Sequence, residues 1–175
     1  MSSKISRAIF DFARDLQRTA DESFRPPQDI VVSRSNDVLV SSLFEKTRGY
    51  LQKVVYQINR CYAENCYDAC AVMIRRLLEL LIIETMESKG QIEKTLDENR
   101  DICKFDLLIN VILKEPSVSL SPKTKKILES RKIKKLGDLS AHGWRYNACR
   151  RDVDDIRQDL TVAVQDLLYT SGLRK

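Results

Sequence analysis

Apolar residues recur at helical spacing along most of the chain, and no stretch sustains the alternation of a strand. Ile5, Ile9, Phe12 and Leu16 mark an amphipathic helix from about 4 to 20. Asp21 to Ser35, with Pro26-Pro27, reads as a loop. A second helix is expected from about 36 to 62, with Leu43, Phe44, Leu51, Val54, Val55, Ile58 and Tyr62 as its stripe and Glu64-Asn65 as its interruption. The third, about 66 to 89, is the most apolar and is expected at the centre, stopped by Gly90. Residues 91–104 read as a loop with a helical turn, and 105–114 as a short buried helix ended by Pro116. Ser121-Pro122 is an N-cap followed by proline at the first helical position. It opens one basic helix that runs to Leu139 or His142, where Gly143 breaks it or marks a corner. The last helix, about 149 to 169, carries Val153, Ile156, Leu160, Val164 and Leu167 on one face. The expected fold is all-α: a single bundle of about five or six helices joined by short connections. Residues 1–35 form an N-terminal helix and loop, and 36–175 the bundle, with one globular domain overall.

The bulk numbers fit that picture. The chain has 175 residues, 43% of them apolar and 31% charged, with few glycines and prolines, which is the balance of an ordered helical domain rather than a disordered or turn-rich one. The most apolar window, 69–83, contains Arg75, Arg76 and Glu79 and is too charged and too short to span a bilayer, so no membrane association is expected. The opening residues lack the apolar run of a signal peptide. Together with an odd number of cysteines (Cys61, Cys66, Cys70, Cys103 and Cys149), this points to reduced thiols in the cytoplasm. With no CxxC pair and one histidine, a closed zinc site is not expected; the cysteines read as small core-filling hydrophobes, and no metal or cofactor is assigned.

Charge changes the picture more than composition does. The net charge is +5, but residues 123–151 hold ten Lys and Arg against Glu129 and Asp138, a net of +8, so the rest of the chain sums to −3. A basic segment on a mildly acidic body suits an anionic partner such as RNA, DNA or a nucleotide. The same segment holds the only histidine, His142, and the only tryptophan, Trp144. If the basic helix reaches His142, then Lys135, Asp138 and His142 share a face at i, i+3 and i+7. Histidine beside a cation suits phosphodiester cleavage: the imidazole would move a proton and the cation would stabilise charge on the phosphate. Against this, a lone histidine at a Gly-Trp corner often caps a helix or satisfies a buried carbonyl. Trp144 reads first as a packing anchor, with base stacking left open by Arg145 and Tyr146 beside it. Arg75 and Glu79, at i, i+4 in the most apolar helix, read as an internal ion pair, or else Arg75 or Arg76 faces the same groove as His142.

Two segments together resemble a known group. Tyr67 to Glu79 (Tyr-Asp-Ala-Cys-Ala-Val-Met-Ile-Arg-Arg-Leu-Leu-Glu) is similar to a helix of a branch of the HEPN superfamily (higher eukaryotes and prokaryotes nucleotide-binding). Leu136 to Gly143 (Leu-Gly-Asp-Leu-Ser-Ala-His-Gly), with the helix 152–168 after it, resembles that branch's Gly-Asn…His corner. The likeness spans roughly 54 to 168. It implies an all-α, often homodimeric protein, and the superfamily includes metal-independent ribonucleases of toxin–antitoxin and phage-defence systems. Their signature is Arg, four to six residues, His. Here Lys135 stands at the arginine position and Asp138 where Asn is common, and lysine lacks the planar fork that grips phosphate. The resemblance implies His142 and Lys135 as catalytic; with the basic segment and the charged residues of the apolar helix, the expected RNA or phosphate contacts are Arg145, Arg75, Arg76, Lys132 and Lys134, and the polar support Asp138 and Glu79. The alternative is a non-catalytic, homodimerising interaction module that docks a protein partner.

Overall fold

Glu64-Asn65 and Gly90, the two stops read at the ends of the second and third helices, each close a Schellman turn. In the computed structural model, which describes residues 37–174, Asn65 and Gly90 both adopt left-handed backbone (φ 60° and 68°). Six α-helices follow in order: α1 Gly49–Ala63, α2 Tyr67–Ser88, α3 Phe105–Lys114, α4 Pro122–Ser130, α5 Lys132–His142 and α6 Arg150–Thr170. Single 3-10 turns precede α1 (Ser41–Phe44) and lie between α2 and α3 (Ile92–Thr95). Among the described residues there is no strand, only one isolated antiparallel bridge between Leu96 and Ile102, and no helix is long and apolar enough to cross a membrane. The architecture is the expected all-α bundle. The helix and loop read at 4–35 lie outside the described residues.

α2 is central because it is apolar nearly all round. Cys70, Ile74, Leu77, Leu81, Ile82 and Met86 are fully buried, and α1, α3, α5 and α6 all pack against it. The stripe on α6 faces the same core: Val153, Ile156, Leu160, Val164 and Leu167 are all buried. α4 begins as its residues dictate. Ser121 Oγ accepts the Thr124 N–H at 3.2 Å, Pro122 follows, and Asp166 of α6 accepts the Ser121 N–H at 2.9 Å.

Two expected elements differ. The helix read from 36 starts only at Gly49. Val38, Leu39, Leu43 and Phe44 are buried as expected, but they belong to a strap laid over the bundle rather than to a helix. Asn59 of α1 takes both hydrogen bonds of the Leu39 peptide, N–H to Oδ1 at 3.1 Å and Nδ2–H to the carbonyl at 2.7 Å, so that peptide is satisfied without a helical ladder. The single basic helix is in fact two, broken where Arg131 turns left-handed (φ 53°). Its guanidinium reaches across to Asp106 and to Asn110 Oδ1 (2.6 Å) on α3, and these tertiary bonds outweigh the residue's helix propensity.

Candidate nucleic-acid interface

α5 runs antiparallel to α2 and very close to it. Gly137 permits this, since a Cβ there would stand 2.6 Å from the Cβ of Arg75. Ile133, Leu136 and Gly137 face inward, which leaves Lys132, Lys135, Ala141 and His142 exposed. The helix does continue to His142, so Lys135 and His142 share a face two turns apart, roughly 10 Å along the axis. Among the described residues neither makes an ion pair or a hydrogen bond to another side chain.

The other members of that stretch are occupied. Arg75 lies in the α2–α5 seam with its Nε 3.1 Å from Asp138 Oδ1. The distance is that of an ion pair, but the N–H is not aligned as a directed hydrogen bond. Its guanidinium also sits 5.6 Å from the centre of the Phe105 ring. The partner read for Arg75, Glu79, is not the one it uses: across helices Asp138 is nearer than the i+4 neighbour. Lys134, only 18% exposed, bonds to Asp138 and sits 2.9 Å from Asp106. These hydrogen bonds, Asp138 first and Asp106 next, raise its pKa; the bond from Lys134 leads in lowering that of Asp106. Lys132 Nζ donates to the carbonyl of Asp155 on α6 at 3.0 Å. Arg76 is exposed on α2 and unpaired among the described residues.

Beyond His142 the chain turns sharply. The Gly143 N–H donates to Leu139 O (2.7 Å), and Arg145 adopts left-handed backbone (φ 62°), so Arg145 does not extend the α5 face. The loop is fixed at its far end by α2, where Asp68 accepts the Ala148 N–H at 2.9 Å. α6 then opens with Asp152 accepting the Cys149 N–H at 2.8 Å. Trp144 stands at the loop's apex, 85% exposed, with the Arg145 guanidinium 4.2 Å from its ring centre. It is not a packing anchor: Tyr146, half-buried against the core, fills that role. Burial raises the Tyr146 phenol, with Asp152 adding to the effect.

A second aromatic–cation group borders the loop. Arg150 lies 5.5 Å over the Tyr62 ring and donates from Nε to Tyr62 Oη at 3.1 Å, while the Tyr62 hydroxyl donates to Asp154. Tyr67 meets Tyr62 edge-on at 5.7 Å. Tyr62, Tyr67 and Asp68 escaped the site reading because they lie some 80 residues away in sequence and only the fold brings them here.

This side of the bundle therefore offers an exposed indole with a cation on it, an unpaired histidine at the end of the neighbouring helix with an unpaired lysine two turns back along it, and Arg151 at the next helix start. Among the described residues no three metal-ligating side chains cluster. An open groove of about 540 Å³, lined by Lys94, Leu107, Asn110 and Lys114, shares no residue with it. No family model, curated protein or solved structure matches the chain.

Proposed function

We propose that the chain is an RNA-binding protein of HEPN-like build, which holds single-stranded RNA at the corner made by the end of α5, the 143–149 loop and the start of α6. The observation that carries this reading is Trp144, a large aromatic 85% exposed and backed by a guanidinium at 4.2 Å inside the most basic part of the chain. Exposing an indole costs hydrophobic free energy, and a base stacked on its open face recovers it; such stacking is worth about 1–3 kcal/mol per base. Arg145 beside the indole and, two turns back along the exposed face of α5, Lys135 supply cations for successive phosphates of the strand. Duplex RNA would hide its base faces, so the ligand is unpaired.

Trp144 is the only tryptophan, so its fluorescence reports the contact directly. Titration with a single-stranded oligoribonucleotide quenches it, and a duplex of the same sequence does so far less. RNA binding that leaves the indole emission unchanged places the interface elsewhere, and no retention of RNA at low salt removes the reading.

A second reading, metal-independent endoribonuclease, is favoured by one observation: Lys135 and His142 share an exposed face and are unpaired. The imidazole would take the 2′-hydroxyl proton or protonate the leaving oxygen, and the ammonium would meet charge developing on the phosphate. The pair lies on open surface, so a homodimer that set two copies face to face would supply the enclosure such chemistry uses. Wild type and His142→Ala are compared on mixed RNA in EDTA. Cleavage only by wild type supports catalysis, whereas equal cleavage or none removes it and leaves a binding module.

A further inference from the structure

We propose that Cys61 and Cys66 form a reversible disulfide across the turn that joins α1 to α2. This goes beyond the RNA reading and does not depend on it.

The argument begins with how α1 ends. The Cys66 N–H donates to Cys61 O at 2.8 Å, and the Asn65 N–H donates to Tyr62 O at 3.2 Å, with Asn65 left-handed. These are the two bonds of a Schellman motif, whose first and last residues bring their side chains together, ordinarily as an apolar contact. Here cysteines hold both of those positions; in the reduced chain the Cys66 Sγ–H donates to Glu64 O at 3.7 Å, and rotation about its Cα–Cβ bond turns it toward Cys61. The 2.8 Å backbone bond sets the two residues beside each other across one turn, the proximity a disulfide requires. Independently, burial raises the Cys61 pKa, and the nearby charge of Cys66 raises it further.

The roles follow from exposure. Cys66 is open to solvent and is the thiol a soluble oxidant can reach; Cys61 is half-buried behind it. Cys70 also neighbours Cys61, but it is fully buried, its Sγ–H donates to Ile58 O at 3.5 Å, and burial pushes its thiol up to about 12, so it stays out of the exchange. The oxidant is a small-molecule disulfide such as oxidised glutathione. The Cys66 thiolate attacks one sulfur, the oxidant's S–S bond breaks, and one glutathione thiolate leaves. The Cys61 thiolate then attacks the Cys66 sulfur of the mixed disulfide and expels the second. Two protein thiols give up two electrons and two protons, and one oxidised glutathione becomes two reduced ones. In a reducing compartment such a bond is transient, as fits a sensor rather than a structural staple.

The test uses the full chain. It is equilibrated in glutathione buffers from reducing to oxidising, alkylated and digested with trypsin. Arg60 and Arg75 bound one peptide that holds Cys61, Cys66 and Cys70. The expected result is that this peptide loses two hydrogens in oxidising buffer and regains them with dithiothreitol, with fragmentation placing the bond between Cys61 and Cys66. Cys61→Ser and Cys66→Ser each abolish it and Cys70→Ser retains it. The proposal is overturned if all three thiols stay alkylated at every poise, if Cys66 is found only joined to glutathione or to a second chain, or if the bond survives in Cys61→Ser. The wild-type map alone decides the matter even where a variant folds poorly.

Discussion

Asp138 receives two cations at once, Arg75 from α2 and Lys134 from its own helix, and Lys134 also reaches Asp106 of α3. All three groups at the centre are mostly shielded from water, so an unpaired charge there is costly. Asp138→Asn keeps the shape and removes the charge; urea unfolding should show a loss of about 1–3 kcal/mol. Lys135→Ala, next to this network in sequence but exposed and unpaired, should change stability by less than about 0.5 kcal/mol. Equal effects from the two would mean that the Asp138 pairs are not holding α5 in place. The contrast also marks what sequence could show. The spacing of Lys135, Asp138 and His142 was readable as a shared face. Which cation Asp138 takes was not, because Arg75 has Glu79 one turn away, and only the approach of α5 to α2 makes Asp138 the better partner.

At the scale of elements, the stops and starts made by special backbone were legible: Gly90, the Ser121-Pro122 start and the Gly143 end all lie where residue chemistry puts them. The break at Arg131 was not, because left-handed backbone in an arginine arises from the tertiary bonds it makes, not from its own preference. The seam between α2 and α5 depends on Gly137. An alanine there gains about 1 kcal/mol of helix propensity but drives its Cβ into the stem of Arg75, where overpacking costs about 1–3 kcal/mol. Gly137→Ala should therefore lower the unfolding midpoint, and a rise would show that the seam is slack. The turn before α3 is held by charge instead. Lys94, then the O–H and N–H of Ser117, keep the Glu115 carboxyl down at about 2. A carboxyl depressed in the folded state contributes stability that is complete above about 4.5 and is lost as pH falls toward 2, because the unfolded chain takes up the proton first. Glu84 works the other way, since burial raises its carboxyl and acid relieves that cost. The decisive measurement is thus a difference: the gap in stability between wild type and Glu115→Gln should shrink from neutral pH to about pH 3. A constant gap would mean that the Lys94–Glu115 pair does not matter to folding.

For the whole molecule, the cation count of 123–151 overstates the charge available to a ligand. Arg131, Lys134 and Arg150 are engaged in ion pairs, and Lys132 donates to a backbone carbonyl. Arg145 and Arg151 remain at the Trp144 corner and Lys135 two turns back on the exposed face of α5, while Lys123, Lys125 and Lys126 lie exposed on α4. Net charge alone therefore does not say where RNA binds, but salt dependence does. Each phosphate neutralised on a single strand contributes about 0.7 to the slope of log K against log salt. If the corner is the interface, Lys135→Ala and Arg145→Ala should each reduce the slope by about 0.7, and Lys123→Ala should leave it unchanged. Lys134→Ala should lower stability without altering the slope, because its charge is already met by Asp106 and Asp138. A slope that falls with the α4 lysines and not with Lys135 or Arg145 would move the interface to α4 and leave the exposed indole without the role assigned to it.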